Sequence, residues 1–156
     1  MPYFDYAILG QKVYLSTLLD LYNGEVVSYN YDTRPNYALV DDMLQKALPL
    51  VPERTSLIIH SDQGWQYQLK AYQHTLKERG IQQSMSRKGN CLDNAVMENF
   101  FGLLKSEFFY LEKFDTLGQF MQELNRYIEY YNTVRIKAKL NGLSPVQYRT
   151  QATLVA

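Results

Sequence analysis

The chain has very few of the side chains that bind zinc or form disulfide bonds. Its 156 residues include one cysteine, Cys91, and two histidines, His60 and His74. A single cysteine excludes an intrachain disulfide and a cysteine-based zinc site, and two histidines cannot build a histidine-rich one. The sequence therefore excludes a disulfide framework and a structural zinc site.

Long apolar runs and net charge are also absent. No run approaches the length needed to cross a membrane and no signal peptide opens the chain, so we expect a cytoplasmic protein without a membrane partner. The 16 basic and 16 acidic residues cancel, which excludes a generic polyanion binder. The charge is uneven, because residues 133–150 contain no acidic residue and four basic ones: Arg135, Lys137, Lys139 and Arg149. This basic end either contacts nucleic acid or is a solvated terminal segment.

The composition that remains is typical of one globular domain. Apolar residues make up 46% of the chain and charged residues 21%, as in soluble globular proteins. The length is sufficient to bury a core. We therefore assign residues 1–150 to one domain and residues 151–156 to a tail.

The first third of the chain predicts antiparallel strands. Residues 3–9 and 12–22 are rich in apolar, tyrosine and threonine side chains. The pair Asn23-Gly24 is the strongest short hairpin signal. Residues 25–32 alternate in polarity and are expected to form the returning strand.

The rest of the chain predicts helices that alternate with short strands. Apolar side chains at helical spacing indicate helices at residues 36–48, 68–79, from 93 or 94 to about 110, and 116–132. A short apolar run indicates a strand at residues 57–59, and residues 81–84 are expected to form another short strand. Asp93 or Asn94 is expected to cap the third helix. The element order predicts an α/β domain, with a mixed sheet and helices packed on it.

Two carboxylates on different elements carry the chemical interest. Asp62 follows the strand at residues 57–59, and Glu98 lies in the helix that begins near residue 94. At 100° per residue, one stripe of that helix contains Glu98, Gly102, Lys105 and Phe109. A broad apolar arc is expected to face the core and comprises Val96, Met97, Phe100, Phe101, Leu103, Leu104 and Phe108.

This arrangement predicts a divalent metal site beside a phosphate-binding lysine. Mg²⁺ and Mn²⁺ prefer carboxylate oxygens, and Mg²⁺ usually acts together with substrate phosphates. Two such ions can activate an attacking oxygen and stabilise a leaving one, while Lys105 holds a backbone phosphate. The competing interpretation is that Asp62 and Glu98 are solvated surface groups and that Lys105 pairs with Glu98 or Glu112.

Five segments around these residues resemble one protein family. They read HSDQG (60–64), SMSRKGNCLDNAVME (84–98), FFGLLK (100–105), YYN (130–132) and GLSPVQY (142–148). Together they closely resemble the integrase-like catalytic domain of bacterial insertion-sequence transposases. Retroviral integrases are more distant relatives. The resemblance covers nearly the whole chain.

The resemblance implies a fold and a set of site residues. The fold is ribonuclease-H-like, with a mixed five-stranded sheet and helices packed on it. The active site is of the DDE type, in which two aspartates and a glutamate bind two Mg²⁺ or Mn²⁺ ions. Asp62 matches the second aspartate, Glu98 the glutamate, and Lys105 the basic residue that contacts the element's end. The loop beside the site contains three further residues expected to contact DNA rather than only solvent: Arg87, Lys88 and Asn90.

The first aspartate of the triad has no clear match. The family places it in the opening strand, usually within a Thr-Asp-x-Thr pattern that this chain lacks, and the expected position falls near Pro2. Asp5 is the nearest carboxylate, but three residues along a strand displace it by roughly 10 Å onto the opposite face. A gap or bulge is needed to bring Asp5 into place. Asp20 precedes the hairpin turn, where we expect it to bond turn amides.

Other polar and aromatic residues near these motifs have two possible roles. His60 is expected to be a structural hydrogen-bonding group rather than a base. Trp65, Gln66 and Tyr67 either contact DNA or pack on the core. The tyrosines near the end of the last predicted helix are expected to pack in the core: Tyr127, Tyr130 and Tyr131.

The resemblance predicts a transposase catalytic domain, lacking its start, that joins transposon DNA ends to target DNA by metal-dependent strand transfer. The expected partners are DNA, further copies of the chain in an active complex, and a separate helix-turn-helix protein, all in the bacterial cytoplasm. One alternative is a catalytically inactive, truncated DNA-binding remnant. Another is a ribonuclease-H-type nuclease.

Overall fold

A computed structural model describes residues 3–6, 10–90 and 94–155, with five strands and five α-helices in that part of the chain. The strands are β1 (Tyr3–Tyr6), β2 (Gln11–Leu19), β3 (Val26–Asp32), β4 (Ile58–Ser61) and β5 (Gln82–Met85). The helices are α1 (Tyr37–Ala47), α2 (Lys70–Glu78), α3 (Ala95–Leu104), α4 (Leu117–Thr133) and α5 (Pro145–Val155). A π-helical segment, Lys105–Phe109, continues α3.

The strands form an antiparallel and a parallel ladder. β1, β2 and β3 pair antiparallel in that order, and β4 pairs parallel with β5. The predicted mixed α/β class with five strands is confirmed. Among the described residues, however, the ladders form two sheets rather than one continuous sheet. Residues 7–9, which the sequence assigns to the end of the first strand, lie outside the described residues.

Helices pack on both faces of the antiparallel sheet. The Ser16 hydroxyl lies 3.1 Å from the Met43 sulfur on α1. The neighbouring Thr17 hydroxyl lies 3.2 Å from the Met97 sulfur on α3. Because adjacent residues of a strand point to opposite faces, α1 and α3 lie on opposite faces of β2.

Each face has its own apolar core. Between the antiparallel sheet, α3 and α4 the core includes Val13, Leu15, Phe100, Leu104, Phe120 and Leu124. The second core lies between α1, α2 and β4 and includes Val40, Leu44, Ile59, Tyr72 and Leu76. Burial of each such side chain contributes about 1.5–3 kcal/mol, so the two cores hold the helices in fixed positions against the strands.

The Asn-Gly pair does not form the tight two-residue hairpin turn that the sequence predicts. A longer connection joins β2 to β3, because β2 ends at Leu19 and β3 begins at Val26. Asn23 is buried and its amide donates to the Pro145 carbonyl at 3.0 Å. This contact with a distant segment holds the connection in its wider form.

The predicted long third helix changes its geometry at Lys105. The Tyr110 amide donates to the Lys105 carbonyl at 2.9 Å, five residues back. This wider turn rotates the residues that follow, so Phe109 packs against the core near Phe120 instead of continuing the Glu98 stripe. Val96 was also placed incorrectly on the buried arc, because it lies in the first turn and is 49% exposed.

The C-terminal segment contains a helix, α5, that the sequence analysis did not predict. The Ser144 amide donates to the Gln147 side chain at 2.9 Å, and the Ser144 hydroxyl accepts from the Gln147 amide at 3.3 Å. This is a reciprocal cap, with Pro145 at the first helical position. The signal was therefore present in the sequence as Ser-Pro-x-Gln.

Two of the four basic residues near the C-terminus form ion pairs within the chain. Arg135 binds Glu107, and Arg149 binds Glu25 at 2.8 Å. The interpretation of this segment as a simple solvated end is wrong for these two residues, since they attach it to the domain. Tyr127 and Tyr131 are buried as predicted, whereas Tyr130 is 45% exposed.

Two expectations fall on residues outside the described part of the chain. Cys91, the single cysteine, lies outside the described residues. Asp93, one of the two candidate caps of the third helix, lies outside them as well. No helix within residues 3–6, 10–90 and 94–155 is long and apolar enough to cross a membrane.

Candidate active site

Asp62 lies immediately after β4, at the carboxyl end of the parallel pair. It is exposed, and its Oδ1 atom accepts a hydrogen bond from the Gly64 amide at 2.8 Å. A side-chain carbon at Gly64 would lie 2.9 Å from that same oxygen. The missing side chain at residue 64 therefore allows the chain to fold back and orient the Asp62 carboxylate.

The residues after Asp62 attach this turn to the core. The Gln66 side chain is buried and donates to the Pro35 carbonyl at 3.2 Å. The Gln83 side chain on β5 donates to the Tyr67 carbonyl at 2.7 Å. Burial raises the pKa of the Tyr67 hydroxyl to about 12, and the Asp62 charge acts in the same direction. Of the three residues with two possible roles, Gln66 and Tyr67 pack inward, whereas Trp65 is 54% exposed.

Glu98 lies in the first turn of α3 and is exposed. Asn94 occupies the N-cap position of this helix, but its side chain does not cap the helix amides. Its Oδ1 atom instead accepts from the Ser86 hydroxyl at 2.8 Å. The Asn94 side chain therefore contacts the residue that follows β5 instead of capping the helix, and the alternative cap, Asp93, lies outside the described residues.

Ser86 joins the Asp62 segment to the start of α3. Its amide donates to the Ser61 carbonyl at 2.8 Å, and its carbonyl accepts from the Gln63 side chain at 3.0 Å. Its hydroxyl contacts Asn94 and also lies 3.0 Å from the His60 ring. Ser86 therefore contacts Ser61 and Gln63, which flank Asp62, and Asn94, which lies four residues before Glu98.

His60 has the structural role that the sequence predicts. Its Nδ1 atom lies 2.9 Å from the Ser84 hydroxyl and its Nε2 atom lies 3.0 Å from the Ser86 hydroxyl. Both ring nitrogens are thus engaged by serines of the β5 segment. The three side chains hold the end of β4 against the end of β5.

Glu98, Gly102 and Lys105 form the predicted stripe along α3. Gly102 is exposed, and a side-chain carbon there would meet no atom within 4 Å. Lys105 is half-buried at the start of the π-helical segment. Within the described part of the chain, Lys105 makes no ion pair with Glu98 or Glu112. The competing surface-pair interpretation is therefore not realised, and the stripe leaves open space between its two charged residues.

The loop from Arg87 to Asn90 lies directly after the Ser86 junction. The Asn90 amide donates to the Arg87 carbonyl at 3.1 Å, and Gly89 adopts a positive φ of 75°. Arg87 and Lys88 are exposed. Arg87 and Lys88 directly follow Ser86, and Ser86 is hydrogen-bonded to both neighbours of Asp62.

The two candidates for the first aspartate have different outcomes. The Asp20 carboxylate accepts from the Tyr22 amide at 2.8 Å, which confirms its predicted role in the turn. Asp5 lies in β1 opposite Lys12, and the described β1–β2 ladder is regular, without the bulge considered above. The side chain of Asp5 lies outside the described part of the structure. Its catalytic role stays a prediction.

The donor set at this edge fits a hard divalent cation. Asp62 and Glu98 offer carboxylate oxygens, the ligands that Mg²⁺ and Mn²⁺ prefer. One Asp62 oxygen accepts the Gly64 amide. Within the described residues, no hydrogen bond or ion pair involves the Glu98 carboxylate, and no group of three metal-binding side chains forms. Asp62 and Glu98 are therefore the two exposed carboxylates that the sequence singles out as ligands, and their use by one ion stays a prediction.

Two family models with the same description together match most of the chain. The Integrase core domain family matches residues 1–91, and a second family of the same description matches residues 98–153. A protein of Escherichia coli (strain K12) named as a transposase, InsK for insertion sequence element IS150, is 52% identical over 94% of this chain and 52% of its own length.

Two further comparisons agree with this match. A transposase-like protein of Haemophilus influenzae is 51% identical over 90% of this chain and 65% of its own length. The transposase for insertion sequence element IS904 of Lactococcus lactis is 39% identical over 87% of this chain and 54% of its own length. The chain thus spans about half to two thirds of the length of these relatives.

Solved structures give the same fold at low sequence identity. The catalytic core domain of HTLV-2 integrase, solved in complex with magnesium in a trimeric form, superposes with a TM-score of 0.73 at 16% identity. That match covers 94% of this chain and 90% of the other. The catalytic core of BIV integrase gives a TM-score of 0.60 at 15% identity, covering 99% and 94%. The ribonuclease-H-like fold expected from the sequence is confirmed, and the chain belongs to the Integrase core domain family.

Proposed function

We propose that the chain is the catalytic domain of an insertion-sequence transposase that performs metal-dependent DNA strand transfer. The observation that carries this proposal is the Ser86 junction, which joins the segment of Asp62 to the helix of Glu98. The family match and the transposase names of the relatives support it. These matches do not favour the inactive remnant or a general ribonuclease-H-type nuclease.

Asp62 and Glu98 are proposed as metal ligands, with Asp5 as the third carboxylate of the site. Two Mg²⁺ or Mn²⁺ ions fit the predicted triad, and HTLV-2 integrase, which shares the fold, was solved with magnesium. When bound, such ions stabilise the negative charge that develops on a phosphate during in-line displacement. Gly64 supports this role, because its amide orients Asp62 while the other Asp62 oxygen remains for a ligand.

Strand transfer exchanges one phosphodiester bond for another. The oxygen of a DNA 3′-hydroxyl attacks phosphorus in the target strand, a new P–O bond forms, and the target 3′-oxygen leaves with the bonding electron pair. The attacking group loses its proton to solvent, and a proton from solvent neutralises the leaving oxygen. Because one bond of the same type replaces another, the reaction needs no external energy source and can run in reverse.

Four side chains are proposed to position the DNA. Lys105 holds a phosphate at the end of the open stripe beside Glu98, since a lysine acts as a point charge on phosphate. The loop at the Ser86 junction supplies the other three, Arg87, Lys88 and Asn90. Phosphate contacts of this kind fix the register of DNA on a protein without reading its sequence.

The proposed complex contains more than one copy of the chain. HTLV-2 integrase cores have been solved in trimeric and dimeric forms, and a related integrase in an intasome. A pair of DNA ends requires a pair of catalytic centres, so we propose a homo-oligomer on transposon and target DNA. A separate helix-turn-helix protein is proposed to recognise the element ends.

The reverse reaction gives the sharpest test of the catalytic centre. A branched DNA that mimics a strand-transfer product is incubated with the chain and Mg²⁺ or Mn²⁺. We expect the branch to be resolved into a rejoined target strand and a released end, detected by denaturing electrophoresis of labelled strands. This substrate presents the reacting phosphate directly, so the assay does not depend on end recognition by another protein.

Matched carboxylate variants assign the activity to the site. Asp62→Asn and Glu98→Gln are expected to abolish resolution, whereas Asp20→Asn is expected to retain it, because Asp20 acts in a turn and asparagine can accept the same hydrogen bond. Activity that survives Glu98→Gln would contradict the proposal. So would a folded wild-type chain that leaves the branched DNA intact at every metal concentration.

A further inference from the structure

Ser86 is a buried polar residue with an unusual number of partners. Its side chain is 4% exposed. The hydroxyl lies 2.8 Å from Asn94 Oδ1, 3.0 Å from His60 Nε2 and 3.3 Å from the Ser61 carbonyl. These partners belong to the two segments that carry the proposed metal ligands.

The hydrogen-bonding capacity of a hydroxyl decides how these contacts are used. A serine hydroxyl has one proton to donate and two lone pairs that accept. The shortest contact, to Asn94 Oδ1, takes the proton. His60 Nε2 then donates to the Ser86 oxygen, and its Nδ1 accepts from the Ser84 hydroxyl. The contacts of Ser86 with His60 and Asn94 are therefore compatible with each other.

The backbone of Ser86 fixes the same residue to the Asp62 turn. Its amide binds the Ser61 carbonyl and its carbonyl binds the Gln63 side chain. The backbone of Ser86 is thus attached to both neighbours of Asp62, while its hydroxyl donates to Asn94, the N-cap residue of the Glu98 helix. The apolar core holds the body of α3 through Phe100, Phe101 and Leu104, and the Ser86 hydroxyl adds a hydrogen bond from the Asp62 turn to the N-cap residue of this helix.

We infer that Ser86 is a positioning residue that sets the separation of the Asp62 and Glu98 carboxylates, acting through Asn94. The inference rests on the proposed function, because it assumes that these carboxylates bind a common metal. Side chains that orient metal ligands without touching the metal typically change metal affinity by about 10- to 100-fold when they are removed. Removing the hydroxyl loosens α3 at its first turn and weakens the shared site.

Manganese binding by the purified chain tests this inference. The Mn²⁺ dissociation constant is measured from the electron paramagnetic resonance signal of free Mn²⁺. Ser86→Ala is expected to raise it about tenfold. The matched control is Ser84→Ala, which removes the other serine of the His60 pair but leaves the Ser86–Asn94 bond. Ser84→Ala is expected to leave the dissociation constant within about twofold of wild type.

Asn94→Ala tests the same bond from the helix side. It removes the acceptor of the Ser86 hydroxyl at a half-buried position. The two single variants and the double variant are expected to show the same loss of Mn²⁺ affinity, because each breaks one shared bond. Additive losses contradict the inference, as does wild-type affinity in Ser86→Ala and Asn94→Ala. Thermal unfolding without metal shows whether a variant has lost its fold. If Ser86→Ala or Asn94→Ala is unfolded, the Mn²⁺ affinity of the other single variant tests the inference.

The outcome separates this inference from the proposed function. If wild-type chain binds Mn²⁺ and Asp62→Asn and Glu98→Gln abolish binding, the shared metal site stands, and Ser86→Ala tests the positioning role alone. If wild-type binding is unaffected by Asp62→Asn and Glu98→Gln, the shared site and the positioning role are both overturned. A Ser86→Ala chain that is less stable but binds Mn²⁺ like wild type limits this serine to a structural role.

Discussion

Two glutamates on one continuous helical run have opposite surroundings. Glu107, in the π-helical segment, accepts from the Arg135 guanidinium at 2.8 Å and from the Tyr127 hydroxyl at 3.0 Å. The hydrogen bonds from Arg135 hold the pKa of Glu107 below its ordinary value. Glu98, in the first turn of α3, is exposed and has no partner among the described residues. The chain satisfies the carboxylate that holds the fold together and leaves the proposed metal ligand unpaired.

The cations of the chain show the same difference. Arg135 and Arg149 pair with glutamates and attach the C-terminal segment to the domain. Lys88 and Lys105 form no ion pair within the described part of the chain. Their positions, after the Ser86 junction and at the end of the Glu98 stripe, leave them available to phosphate. The two arginines therefore serve to attach the C-terminal segment, whereas Lys88 and Lys105 are proposed to bind DNA.

Glu98→Gln is expected to have the largest effect of any change within this comparison. The variant loses a charged metal ligand, so branched-DNA resolution falls below detection, a loss of at least about 10³-fold in rate or about 4 kcal/mol in the barrier. The free energy of unfolding without metal changes by less than about 0.5 kcal/mol, because an exposed, unpaired side chain contributes little to stability. Urea unfolding and the resolution rate are measured on the same preparation. A loss of stability equal to the loss of activity would remove the distinction between the two glutamates.

Glu107→Gln is expected to give the reverse result. Loss of the charge weakens the bonds from Arg135 and lowers the free energy of unfolding by about 2 kcal/mol, as measured by urea denaturation. Mn²⁺ affinity stays within about twofold of wild type, because this residue lies at the other end of the helical run. A strong loss of Mn²⁺ affinity with an intact fold would show that the two ends are not separate.

The pH dependence of stability sharpens the same contrast. The pKa of Glu107 is lower in the folded chain than its ordinary value, and the first cause is its hydrogen bonds with Arg135. Its contribution is therefore fully present above the ordinary glutamate pKa of about 4.3 and is lost as the pH falls through the lower folded value. Wild type should lose more stability than Glu107→Gln when the pH is lowered from 6 to about 3. Parallel stability curves would contradict this assignment.

Gly64→Ala is expected to have a moderate effect confined to the carboxylate edge. The added carbon would lie 2.9 Å from the Asp62 oxygen, so the carboxylate must move. Mn²⁺ affinity should fall about tenfold, measured by electron paramagnetic resonance. Gly102→Ala is the matched control, because a side-chain carbon there meets no atom within 4 Å. Equal effects of the two substitutions on Mn²⁺ affinity would argue against the proposed orientation of Asp62.

Lys105→Gln is expected to have the smallest effect. One phosphate contact is lost, so the slope of log K against log salt concentration for DNA binding should decrease by about one. Arg149→Gln removes a cation that is already paired with Glu25 and should leave the slope unchanged. The slopes are obtained from fluorescence anisotropy titrations at several salt concentrations. The same slope in Lys105→Gln and wild type would exclude Lys105 from the DNA face.

Local regularity made much of this molecule predictable from its sequence. The helical period of α3 was sufficient to predict that Phe100, Phe101 and Leu104 are buried and that Glu98 and Gly102 are exposed, although it wrongly placed Val96 on the buried face. The preference of Asp20 for turn amides identified its structural role. The positions of α1 and α4 followed from apolar side chains repeated at helical spacing. In each case the relevant interactions are between residues close in sequence.

The unpredicted features depend on contacts between distant residues. The Asn23 amide binds the carbonyl of Pro145, so the β2–β3 connection is wider than its Asn-Gly pair predicts. Ser86 takes the side chain of Asn94, which therefore does not cap α3. The π-helical turn rotates Phe109 into the core, although strict helical periodicity places it outside. None of these partners is apparent from the neighbouring residues alone.

The central claim is that Asp62 and Glu98 bind one divalent cation together, and diffraction from crystals grown with Mn²⁺ tests it directly. The anomalous scattering of manganese locates the ion without reference to the protein coordinates. The account predicts an anomalous peak within roughly 2.0–2.5 Å of a carboxylate oxygen from both residues. A peak held by only one of them, or two carboxylates that point away from each other at saturating Mn²⁺, would contradict it.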